Sequence, residues 1–461
     1  MREIPTPHAF TIAAVLSAAF VVSAQATPEN WDIRLVCRSS LDAGIPAYRL
    51  PQISSLSSQY VSLDEQGRVA IRAFLGAGGI TEGVFVGDAN GGGLVLTASS
   101  TDPVWTTDVD LHEGYLSVED GTIGPGGADV YDLAGNLLQR YEVGLYGVDG
   151  SVSLADGGGI GYRAAAGFSG QAIVFDEYVA GKRVQTEVIS TLDAADNVSF
   201  ILSPAMNATR AFVANTIPNT GPSRRIRVFE PDAGGYTEWV AAETGGEFSS
   251  FVNSTAIAND GRVAFTARRT IDSIWQVSRR DDASSPVVSI ARGGDMGIVN
   301  ANLANFPPVV NSSGLVAFRV EDAAGSTALY VGDGDSLVRV LGYGDTVMTD
   351  LGEMPVGFDF GGSTGVQVMN GVVDINAADQ IAFACFLQNG TIGVFVATPA
   401  AAGCNPADVA EPYGVLDLAD VQAFVGAFVA GGPLADIAEP FGVLDLADVQ
   451  AFIGSFLAGC P

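Results

Sequence analysis

A polar turn followed by a short apolar strand recurs along most of this 461-residue chain, and it limits the possible folds more than any other feature. The clearest copies are LDEQGRVAIRA from Leu63, IANDGRVAFTA from Ile257, VNSSGLVAFRV from Val310 and INAADQIAFAC from Ile375. Weaker copies are HEGYLSVE from His112, LADGGGIGYRA from Leu154 and LSPAMNATRAFVA from Leu202. Aligned on the first strand residue, the seven units begin at Val69, Leu116, Ile160, Arg210, Val263, Val316 and Ile381, so 312 residues cover six intervals, or 52 per unit. A second alternating run follows, as in GVFVGD from Gly83, ALYVGDG from Ala328 and GVFVAT from Gly393, rich in residues that suit half-buried sheet. The 57 glycines supply the turns that such sheets need. The period is close to the ~40 to 50 residues of a four-stranded blade, which predicts an all-β body over residues 27–396, a seven-bladed β-propeller. A β-solenoid would repeat faster, and two tandem sandwiches would not repeat seven times.

The ends of the chain differ from this body. An apolar run from Ala9 to Val22 ends in Ala24-Gln25-Ala26, which reads as a signal peptide over residues 1–26 and an exported product. The run is shorter than the ~20 residues a bilayer-spanning helix needs, and no later stretch reads as a membrane span. A formal charge of −30 excludes nucleic acid as a partner and makes cations the expected company. Export permits disulfides. Cys37 near the mature start and Cys385 in the seventh unit are expected to meet across the seam of a closed ring. Cys404 and Cys460 bracket the last segment and are expected to clasp it.

That segment, residues 404–461, follows an Ala/Pro linker at 397–403 and is helical in pattern. DVAEPYGVLDLADVQAF from Asp408 is repeated as DIAEPFGVLDLADVQAF from Asp436, 28 residues later. Val421, Phe424, Val425 and Phe428 share one helical face, as do Val449, Phe452, Ile453 and Phe456. Neither helix can bury such a stripe alone, but the pair can bury both. Asp417 followed by Asp420, and Asp445 followed by Asp448, also fit an N-cap with an acidic residue three positions on.

The duplicated D-x-x…G-V-L-D-x-x-D loop and helix resemble a dockerin repeat, and the Gly403-Cys404 and Gly459-Cys460 brackets resemble the GC-type dockerin-like domain that ends some exported bacterial proteins. The resemblance covers about 58 residues. It implies EF-hand-like calcium loops and docking onto a cohesin-like or other surface receptor, with a secreted or cell-surface location. The ligands would be Asp408, Glu411, the Val415 carbonyl, Asp417 and Asp420 in the first loop. In the second they would be Asp436, Glu439, the Val443 carbonyl, Asp445 and Asp448. Each loop is one residue longer than the standard twelve and lacks two usual side-chain ligands. A calcium loop and a metal-free cap both remain open on these residues.

Catalytic candidates are few. Beyond residue 26 the chain holds one histidine, His112, and one lysine, Lys182, which excludes histidine-rich metal sites. GDANGGG and DGGGIG lack the Lys-Ser/Thr of a phosphate loop and read as turns. The preferred expectation is a non-catalytic propeller delivered by its tail. The alternative is a carbohydrate-active or polysaccharide-binding body, with a carboxylate pair in the central funnel and Trp31, Trp105, Trp239 or Trp275 lining a sugar groove.

Overall fold

The computed structural model describes residues 27–460, except residue 29 and the short stretches 58–60, 77–79, 100–103, 122–125, 143–145, 167–169, 300–306, 323–324, 362–365, 401–404, 411–414 and 439–442. The expected leader, Cys404, Glu411 and Glu439 lie outside the described residues.

The body is a seven-bladed β-propeller. Blades 1 to 6 take their strands in chain order, and the second strands begin at Val69, Tyr115, Ile160, Phe212, Val263 and Val316. Blade 4 thus starts two residues later than the sequence spacing suggests, because Arg210 occupies a left-handed turn at φ 73° rather than a strand. Blade 7 is composite. Met369–Ile375, Ile381–Phe386 and Ile392–Pro399 supply three strands, and the N-terminal strand Trp31–Ser39 supplies the outermost fourth. It pairs antiparallel with Ile392–Pro399 from Trp31 opposite Pro399 to Ser39 opposite Ile392. The ends of the body therefore close the ring on each other.

The recurrent V-A-F pattern is explained by what lies on each side of a blade. In Val69-Ala70-Ile71, Val263-Ala264-Phe265, Val316-Ala317-Phe318 and Ile381-Ala382-Phe383 the two large residues pack on the preceding blade, and the alanine packs on the following one. Both faces are covered, so these strands read as continuous apolar runs. Each of the seven seams holds its own apolar cluster.

The polar turns before these strands tie the blades together. Asn376 donates through Nδ2 to the Asp64 carbonyl (3.0 Å), Asn311 to the Asn376 carbonyl (2.8 Å) and Asn207 to the Ala258 carbonyl (2.8 Å). His112 meets Asp156 at 2.7 Å, the Asp156 N–H donates to the Ala208 carbonyl at 3.0 Å, and Arg262 reaches the Ser312 carbonyl. Ser62 Oγ donates to Asp110 Oδ1 at 2.8 Å on the inner strands of blades 1 and 2. These bonds form a belt that crosses every seam.

The closing seam carries a further lock. Two short hairpins, Thr346–Pro355 and Phe358–Gln367, are inserted before blade 7. The tip of the first presents Asp350 to Arg38 on the N-terminal strand, with Nε to Oδ1 at 2.9 Å and Nη2 to Oδ2 at 2.8 Å. The Arg38 guanidinium is fully buried and also donates to the Pro46 carbonyl.

The expected Cys37–Cys385 disulfide is absent, and both residues are buried free thiols. Strand Ile392–Pro399 runs between them, with Cys37 opposite Val394 and Cys385 opposite Gly393. Two strand spacings, about 10 Å, exceed the ~7 Å Cα separation that a disulfide tolerates. The side chains also enter different seams, Cys37 toward blade 1 and Cys385 toward blade 6. Burial pushes the pKa of both thiols up.

Asp350→Ala leaves the buried Arg38 guanidinium without its carboxylate and is expected to cost about 3–5 kcal/mol in equilibrium denaturation. Asp32→Ala, which breaks only the exposed pair with Arg34, should cost less than about 1 kcal/mol. Equal losses from the two variants would refute the lock.

Candidate functional site

Two places gather chemistry, the central channel and the C-terminal helix pair. The channel is a cavity of about 260 Å³ lined by the innermost strands of all seven blades. At one register, opposite the second residue of the following strand in every blade except blade 2, where it is the third, the blades present Ser62, Asp110, Ser153, Ala205, Ala256, Val309 and Asp374. Blades 7, 1, 2 and 3 make a polar, acidic arc, and blades 4 to 6 make an apolar one. The sequence reading missed this ring: Ser62, Ser153, Ala256, Val309 and Asp374 share one column upstream of the aligned strand starts, but Asp110 and Ala205 fall out of it.

The acidic arc is held by backbone donors. Asp374 Oδ2 accepts the Leu63 N–H of blade 1 at 2.8 Å, and Asp110 Oδ2 accepts the Leu154 N–H of blade 3 at 2.7 Å. Asp110 Oδ1 also takes Ser62 Oγ and the Leu111 N–H. Burial, with smaller contributions from the charges of Asp110 and Glu65, pushes the Asp374 carboxyl up to about 7. The described tryptophans stand elsewhere. Trp31 and Trp275 pack in seams, and Trp239 donates its indole N–H to Glu230 beneath the Arg280 guanidinium. The Trp105 side chain lies outside the described residues. His112, Glu113 and Asp156 bring one nitrogen and two carboxylates within 4.8 Å on the turn side, where the His112–Asp156 contact serves the belt.

Beyond the propeller, helices α1 (Leu418–Ala430) and α2 (Leu446–Ala458) pack on each other. Phe424 and Phe452 stack at 4.1 Å between ring centroids, in a small core with Ala407 and Ala435. Asn405 donates to the Ser455 and Gly459 carbonyls, both at 2.9 Å, and so fastens the start of the module to its end. Cys460 is disulfide-bonded, while its expected partner Cys404 lies outside the described residues.

The two loops are near copies. Asp417 and Asp445 are the N-caps, accepting the Ala419 and Ala447 N–H groups at 2.6 Å, and capping boxes form with Asp420 and Asp448. Asp420 is fully buried. Its Oδ1 accepts the Val409 and Ala410 N–H groups, each at 2.8 Å, and its Oδ2 accepts the Asp417 N–H at 2.9 Å. Asp448 makes the same three bonds to Ile437, Ala438 and Asp445, each at 2.9 Å. These donors hold the Asp448 carboxyl below the usual carboxylate range. Asp408 is buried and Asp436 half-buried, whereas the Val415 and Val443 side chains are exposed.

Calcium needs six to eight oxygens, including a carboxylate that closes the loop with both its oxygens. A carboxylate oxygen has two lone pairs, so Oδ1 of Asp420 and of Asp448 is filled and Oδ2 is half filled. The carboxylate that would close each loop therefore does not offer both of its oxygens to a calcium ion, while Glu411 and Glu439 lie outside the described residues.

No protein-family model matches the sequence, and no curated protein matches it. Among solved structures, an oligogalacturonate lyase in complex with manganese is similar, with a TM-score of 0.52 and 10% identity over 82% of this chain and 98% of that one. A propeller called Dos1 gives 0.40 and 11% over 74% of this chain and 93% of that one. The propeller domain of the Trilobed protease from Pyrococcus furiosus gives 0.40 and 12% over 66% of this chain and 85% of that one. At such identities the likeness shows the fold alone. Among the described residues no helix is long and apolar enough to cross a membrane.

The raised Asp374 carboxyl gives a signed expectation. Between about pH 4, where an unfolded aspartate ionises, and about pH 7 the folded chain binds the extra proton, so this contribution to stability falls as pH rises. Asp374→Asn removes the titration. The stability difference should therefore move in favour of the variant by about 3 kcal/mol between pH 4 and pH 8 in parallel denaturation curves. A constant difference across that range would show that Asp374 titrates normally.

Proposed function

We propose that this is an exported, non-catalytic propeller protein whose C-terminal helix pair is a dockerin-like module that attaches it to a cell-surface or extracellular receptor. One observation carries the reading. After α1 and α2 have buried Phe424 and Phe452 between them, each helix still presents a second apolar stripe to solvent. Leu418 and Leu446 are each 67% exposed, and Val429 and Leu457 are 82% and 80% exposed. Val425 and Ile453, which the helical spacing placed on the buried faces, are half exposed and complete the outer stripes instead. A helix that is apolar on all sides belongs in a buried setting. Unrelated solvent-facing positions would not repeat their large apolar residues at a 28-residue offset, and contiguous exposed apolar surface marks interaction sites. The receptor this fits is a protein with a complementary apolar groove.

A second reading, a polysaccharide-active body delivered by the same module, draws on the Asp110 and Asp374 pair in the channel. Against it, both carboxylates are engaged by backbone donors and no described tryptophan lines the cavity. Release of reducing or unsaturated sugar ends from acidic polysaccharides by the full chain, abolished in Asp110→Asn with Asp374→Asn, would favour this reading over the first.

The attachment reading is tested with the full chain carrying Leu418→Asp, Val429→Asp, Leu446→Asp and Leu457→Asp. These positions are exposed, so the stability of the module should change by less than about 1 kcal/mol. Retention of the labelled protein on cells of the producing organism should fall at least about ten-fold. Undiminished retention would end the proposal.

A further inference from the structure

The duplicated loops carry an inference that is independent of what the helix pair binds. In a metal-centred loop the backbone turns carbonyl and carboxylate oxygens inward, and the cation holds them together. Among the described loop residues, the groups turned toward Asp420 and Asp448 are N–H donors. Val409, Ala410 and Asp417 point theirs at one carboxylate, and Ile437, Ala438 and Asp445 point theirs at its counterpart. Around Asp420 and Asp448 these donors make a patch of partial positive charge, a field that attracts an anion and repels a cation. It already contains its anion. Asp420 and Asp448 occupy the first turns of thirteen-residue helices, where the helix dipole adds to the attraction.

We propose that each loop is closed by its own carboxylate, Asp420 or Asp448, in place of a metal ion. Three features make this arrangement self-sufficient. The carboxylates are 0% and 1% exposed, so water does not compete for them. Each spans the loop from its start, at Val409 or Ile437, to the helix cap, at Asp417 or Asp445, which is the span a calcium ion closes in an EF-hand. The corresponding bonds agree within 0.1 Å between the two loops although Ile437 replaces Val409. Charge-assisted bonds of this kind are roughly twice as strong as neutral ones, and three of them converge on each group. To enter, calcium would have to displace those donors and leave them buried without acceptors.

The helix pair therefore keeps its shape, and its exposed stripes, in the absence of calcium. Hydrogen exchange of the full chain, read on peptides covering 405–430 and 433–458, tests this directly. Rates in excess EDTA and in millimolar calcium are expected to agree within about two-fold. In EDTA, Asp420→Asn with Asp448→Asn should speed exchange in the same peptides by at least about ten-fold, since each amide nitrogen faces a donor it cannot satisfy. Calorimetric titration of the full chain with calcium should give the same heat for the native protein and for Asp408→Asn with Asp436→Asn. Slowing of exchange by about ten-fold or more on adding calcium, or a saturable heat lost in the Asp408→Asn, Asp436→Asn protein, would overturn the proposal. Because the native comparison with and without EDTA needs no variant, a variant that fails to fold does not blunt the test.

Discussion

Everything in the body depends on a seam that the chain closes last. A propeller has no solvent-facing end blade, so each blade face is covered only if the ring is complete. An open ring would expose the clusters on both sides of blade 7 to water. Closure falls to strand Trp31–Ser39, which contributes its backbone to blade 7 and its Val36 and Cys37 side chains to the core shared with blade 1. The polar contacts at this seam are of several kinds. They include the Arg38–Asp350 pair from the inserted hairpin, the Asn376 bond to the Asp64 carbonyl and the Asp374 bond to the Leu63 N–H. None depends on a covalent bond. Two free thiols pointing into different cores are what remains of the expected cross-link, and their work is packing.

Much of this was legible in the sequence because every blade faces the same task. Large-Ala-large strands recur since each must fill a wide gap on one side and a narrow one on the other. Asn and Asp recur in the preceding turns since each blade must satisfy a carbonyl of the next. The same logic extends three residues into the strand, where Asn215 and Arg319 cross the seam to the Val252 and Gly371 carbonyls. Blade number followed from that periodicity, whereas the last strand runs to Pro399 and takes in the first residues of the expected linker. The cysteine pairing did not, because position along a strand says nothing about which strand lies between two others.

The channel ring was hidden for a different reason. Inner strands break their alternation just before the ring residues, with register shifts between Trp105 and Val109, Val148 and Val152, Phe251 and Thr255, and Asn370 and Asp374. Period-two reading from the apolar core therefore assigns the wrong face to Asp110 and Asp374. The substitutions at the ring, from Ser and Asp to Ala and Val, also lack the uniformity that made the strands visible. What survives is a channel with one acidic side, whose carboxylates were placed to join blades before they were available for anything else.

The tail shows how far residue identity alone can be read. Asp408, Asp417 and Asp420 are what a calcium loop wants at its start and end, and the latter two are equally what a capped helix wants at its first turn. The two designs differ in which way the peptide groups between those ends face, with oxygens inward for a cation and N–H groups inward for a carboxylate. Composition does not encode that choice. It is made by the backbone at residues 409–410 and 437–438, whose N–H groups turn toward Asp420 and Asp448. Once those donors are committed, Asp420 and Asp448 have no need of a metal. The helices then hold their apolar outer stripes in place by a device carried within the chain, so exposure of those stripes need not wait on the ionic composition of the medium.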